Sequence, residues 1–125
     1  MYQRQRKLFI IAPDNFHCVL LRQANYEQYK TTIVNSIDAI ERRQRKLSPE
    51  VIVWMTRQLS TELFLEGLRR LRRLYPTSRI AHAHMGALPV LTLIHHERKE
   101  LVRARQSLTF GNVGELLNHL EAWHI

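Results

Sequence analysis

Cysteine is almost missing from this chain, with Cys18 the single example. One thiol cannot close an internal disulfide, so a disulfide-stapled secreted scaffold is excluded and a reducing compartment fits. Glycine and proline are also scarce, four of each in 125 residues. Low-complexity disorder is excluded on that ground, and the 45% hydrophobic content is enough for a core. No apolar run approaches the roughly 20 residues that a bilayer crossing needs. The start, Met1 to Ala12, is basic and then apolar like a secretion signal. Its apolar part is only about five residues, below the roughly 7–15 of such a signal, and Pro13-Asp14 interrupts it. It is therefore expected to be a strand in a cytoplasmic protein. Acidic residues are few as well: 11 against 19 Lys and Arg, for a net charge of +8. That balance favours acidic partners such as nucleic acid, an anionic surface or an acidic protein face, although solvated basic helix faces give the same sum.

What the chain does have is alternation of short apolar runs with amphipathic stretches. Lys7–Ala12 reads as a first strand. Asn15 can cap a helix carrying Phe16, Val19 and Leu20. Tyr29–Val34 is β-branched and short, a second strand. Asn35 or Ser36 caps a helix from Ile37 to Lys46 that turns Ile37 and Ile40 inward. Pro49 to Met55 opens with proline and continues Val51-Ile52-Val53, a buried third strand. Ser60 or Thr61 caps the next helix, with Glu62 in its first turn. Its inward stripe is expected to be Leu65, Leu68, Leu71 and Leu74, with Arg69, Arg70, Arg72 and Arg73 on the other face. Arg79–His84 is a fourth strand, Glu100–Arg105 a fifth, and Leu116 to Trp123 a last helix. Residues 1–125 are expected to form a single α/β domain with a five-stranded parallel sheet and helices on both faces. In such sheets the functional crevice lies at the carboxyl ends of the strands.

The stretch from Pro49-Glu50-Val51-Ile52-Val53 through Leu68-Arg69-Arg70-Leu71-Arg72-Arg73-Leu74-Tyr75-Pro76, and on to Arg79-Ile80, resembles the receiver domains of two-component response regulators. Receivers joined to LuxR-type helix-turn-helix outputs often carry similar wording there. The resemblance implies a flavodoxin-like sheet of order 2-1-3-4-5. It also implies a helix across residues 88–98, where Val90-Leu91-Thr92-Leu93-Ile94 by propensity alone suits a strand. A working receiver places carboxylates, a phosphate-accepting aspartate, a switch Ser or Thr and a lysine at the strand ends. Matched by position, the acidic pair falls on Ala12 and Pro13, the acceptor on Met55, the switch residue on His84 and the lysine near Arg105. Ala, Pro and Met supply no carboxylate to hold Mg²⁺ or to attack phosphorus. The resemblance therefore implies a pseudo-receiver, not an enzyme, that works without phosphorylation and without a cofactor. Its expected role is protein–protein interaction in transcription regulation or signalling. The expected partners are a second copy or another regulator, with a DNA-binding output domain fused or separate. Receivers commonly pair through their last elements, which points to Leu116, Leu117, Leu120 and Trp123 as the partner face.

Other chemistries have weaker footing. His82 and His84 fall on one side of their strand, His95-His96 is close in sequence, and His17 could join them in the fold. No short-spaced Cys/His motif accompanies them, so no metal is expected. No nucleophile elbow and no glycine-rich phosphate loop is present. The arginines at 69, 70, 72 and 73 could meet nucleic-acid phosphates non-specifically. Few aromatics interleave with them, so base stacking is not expected.

Overall fold

The computed structural model describes residues 6–12, 29–43, 49–86, 89–97, 100–110 and 113–122. The helix expected from Asn15 onward lies outside the described residues, as do Pro13 and Trp123. Six strands form one sheet: β1 (Arg6–Ile11), β2 (Tyr29–Val34), β3 (Val51–Thr56), β4 (Arg79–His84), β5 (Val90–Glu97) and β6 (Glu100–Thr109). Three helices are described: α1 (Ile37–Arg43), α2 (Thr61–Leu74) and α3 (Val113–Ala122). The spatial order is β2-β1-β3-β4-β5-β6. The first four strands pair in parallel. The architecture is α/β with a mostly parallel sheet.

Successive strand residues face opposite sides, and both sides are covered. Leu8, Ile10, Val51, Val53, Met55, Ala81 and Ala83 join Leu116 and Leu120 of α3 in one apolar cluster. Phe9, Ile11, Ile52, Trp54 and Ile80 join Ile37 and Ile40 of α1 and Leu68 and Leu71 of α2 in the other. All six residues of β3 are buried, which is why Val51 to Met55 are continuously apolar rather than alternating.

The expected five-stranded, all-parallel sheet is corrected here. Where the receiver resemblance implied a helix, residues 90–97 are strand β5. β5 runs antiparallel to β4, with Val90 opposite His84 and Ile94 opposite Ile80. A parallel return needs a crossover of about a dozen residues or more. Only Met85 to Pro89 separate the two strands, so a reversal is the connection that fits. Leu91 and Ile94 then serve opposite apolar clusters, as a strand buried on both faces requires. The strand expected to end at Arg105 is β6, and it continues to Thr109.

Helix α2 is fixed at both ends. Ser60 is the N-cap, and its Oγ accepts from the Leu63 N–H at 3.2 Å. At the other end the Tyr75 N–H donates to the Leu71 carbonyl at 2.9 Å. Arg72 folds back and donates to the carbonyls of Pro76 and Ser78 at 2.9 and 3.0 Å. The inward stripe is Gly67, Leu68 and Leu71, with Phe64 and Leu74 partly buried beside it. Leu65, expected inward, is 37% exposed. It sits about 100° round the helix from Phe64, and Phe64 takes the inward place.

Candidate functional site

The carboxyl ends of β1, β3 and β4 meet along one edge of the sheet. Ala12 follows β1 there, fully buried, and its N–H donates to the Val34 carbonyl at 2.8 Å. Met55, next to last in β3, is 2% exposed. Both side chains belong to the same apolar cluster, with Ala83, Leu91 and Phe110. The structure thus unites two of the positions aligned with receiver chemistry, and fills the space with hydrocarbon and thioether. His84 ends β4 in register with Thr56 and is exposed. Arg105 is not brought to this group. It lies within β6, and β5 stands between β6 and β4.

On the other face of the same strand ends is a cluster that sequence reasoning missed. Trp54, Phe64 and His82 pack ring to ring. Trp54 stacks on Phe64 at 6.0 Å and 8°. His82 meets Trp54 edge-on at 5.3 Å and Phe64 at 4.8 Å. His82 is only 5% exposed. Its Nε2 lies 2.7 Å from Oγ1 of Thr56, and the same hydroxyl donates to the Arg57 carbonyl at 2.8 Å. The Thr56 hydroxyl thus ties the buried imidazole of His82 to the backbone that follows β3. The signal in the sequence was alternation: Trp54 and Thr56, like His82 and His84, are two apart and share a face.

A cavity of about 270 Å³ opens beside this cluster, between the strand ends and the start of α2. Leu59, Phe64, Leu65 and Leu68 supply its apolar wall. Gln58, Thr61, His82 and His84 supply its polar groups. His82 and His84 are thus brought to one cavity. His95 and His96 are not: they pair with Val102 and Leu101, beyond the Ile80–Ile94 pair at the opposite end of the sheet. Among the described residues no three His, Cys, Asp or Glu side chains converge to hold a metal ion.

The basic face of α2 is partly committed to the fold. Arg70 forms an ion pair with Asp38 of α1. Arg72 is tied to the two carbonyls after the helix, and burial lowers its pKa from the usual guanidinium value. Arg69 and Arg73 are exposed. Of the expected partner face, the structure describes the side chains of Leu116 and Leu120. Leu116 and Leu120 are buried against the sheet, because they stand one turn apart on the inward side of α3. The Leu117 side chain and Trp123 lie outside the described residues. No helix among the described residues is long and apolar enough to cross a membrane.

Comparison of the chain with protein-family models, with curated proteins and with solved structures gives no match.

Proposed function

We propose that this chain is a receiver-like module that acts without phosphorylation, by protein–protein contact in transcription regulation or signalling. The observation that carries the reading is the joint burial of Ala12 and Met55 in one apolar cluster at the strand ends. Those are the positions where a phosphate-accepting receiver would present carboxylates to solvent and Mg²⁺. The order 2-1-3-4 of the first four strands supports a flavodoxin-like plan, with a hairpin in place of the last helix and parallel strand. Homodimer or heterodimer contact remains part of the proposal, but Leu116 and Leu120 serve the core and are removed from its surface. Non-specific nucleic-acid binding has less support than the sequence suggested, because Arg70 and Arg72 are engaged within the protein.

The test is a titration of the ¹⁵N-labelled chain with beryllium fluoride and Mg²⁺, which together mimic a phosphorylated aspartate. The expected result is an unchanged amide spectrum. Saturable shifts centred on Met55 and His84 would overturn the reading.

A further inference from the structure

The cavity lined by Phe64, Leu65, His82 and His84 plays no part in the reading above. We propose that it binds a small aromatic carboxylate. This inference stands on the cavity itself and not on the likeness to receivers.

Size comes first. At about 270 Å³ the cavity lies near the lower end of small-molecule sites, which begin at about 300 Å³. It suits a body of one or two fused rings. Shape and surface come second. Leu59, Phe64, Leu65 and Leu68 make an apolar wall, and Leu65 is 37% exposed, so a ligand would cover it. The rings of Phe64 and His82 stand at 70° to each other, backed by Trp54. A flat ring entering there meets aromatic faces and edges already set in place.

Polarity decides the rest. His82 Nε2 points to Thr56 inside the protein, and His84, Thr61 and Gln58 are the other polar side chains among the described lining residues. An imidazole offers an N–H in either charge state, and the hydroxyl and the amide each offer donors as well. Among the described residues that line the cavity there is no carboxylate. A ligand acceptor with several lone pairs satisfies this set, and an anionic one bonds more strongly than a neutral one. The chain's net charge of +8 favours approach of an anion. A neutral aromatic, or an aliphatic acid of equal size, would satisfy only half of the site.

The experiment is an amide-shift titration of the full chain with three probes: indole-3-acetate, its neutral amide, and cyclohexylacetate. Indole-3-acetate is expected to give saturable shifts at Gln58, Leu59, Thr61, Leu65 and His84. The other two probes should bind at least about fivefold more weakly, equivalent to roughly 1 kcal/mol. The variant His84→Ala, at an exposed position, should weaken the acetate about fivefold and leave the amide unchanged. Absence of saturation with indole-3-acetate at millimolar concentration would overturn the proposal. Equal binding of the amide would overturn the carboxylate, equal binding of cyclohexylacetate the aromatic ring, and unaltered acetate binding by His84→Ala the anchoring role of that residue.

Discussion

Replacing Gly67 with alanine should destabilise the protein, although the same change in most helices stabilises. Gly67 is buried in α2 directly over the ring of Trp54. A Cβ at that position would lie 2.2 Å from Cη2 of Trp54, 2.7 Å from Cζ2 and 2.8 Å from Cζ3. No real contact is that short, so the ring or the helix must move. The ring has little room, since it stacks on Phe64 and packs against the ring of His82. Overpacking of this kind costs about 1–3 kcal/mol, and the closeness of the contact places it at the upper end. Alanine returns about 0.8–1.0 kcal/mol of helix propensity. The net loss should be about 2 kcal/mol. Urea unfolding followed by circular dichroism measures it. The cause can be isolated with Trp54→Phe, which removes the fused ring that the new methyl strikes. In that background Gly67→Ala should cost at least about 1 kcal/mol less than in the parent. An alanine variant as stable as the parent would refute the packing of α2 on β3 described above.

Three further outcomes follow from single sites. Thr56→Val should cost about 1–3 kcal/mol, because it removes the hydroxyl that pairs with the buried His82 Nε2, while Thr56→Ser should cost less; equal unfolding midpoints for the two variants would count against the pair. Met55→Asp should cost about 3–5 kcal/mol, since a carboxylate would enter a closed apolar cluster, and a fully stable variant would mean that the strand end is open to water. Burial raises the pKa of Tyr75 above the ordinary phenol value. Its contribution is therefore intact below about pH 10 and is lost as pH rises through the folded-state value, so the parent should lose stability relative to Tyr75→Phe in alkaline unfolding series. A constant difference between the two across that range would contradict this.

The parallel half of the sheet was legible because its signals are local. Tyr29–Val34 and Arg79–His84 have the bounds that their β-branched and alternating residues suggest. Ser60 caps α2 as its position before Thr61 and Glu62 implies. The antiparallel half departs from what the receiver resemblance implies and follows the residues themselves. Val90 to Ile94 carries a strand's composition, and the short Met85–Pro89 connection leaves room only for a reversal. On α2, a leucine at 65 looked as apolar as one at 68, but Phe64 filled the inward place instead. The Ala12–Met55 cluster could be anticipated from residue type alone, since neither side chain has a polar atom to present. The Thr56–His82 pair could not. Its partners are 26 residues apart, and only the pairing of β3 with β4 joins them.

Receiver chemistry is the feature this fold is proposed to have lost, and transfer of a phosphoryl group addresses that directly. The chain is incubated with acetyl phosphate and Mg²⁺, and its intact mass is recorded before and after at neutral pH. With Ala12 and Met55 sealed in apolar packing, no acid-stable or acid-labile phosphoryl adduct should form. A stoichiometric adduct that a carboxylate-directed reagent removes would contradict the account.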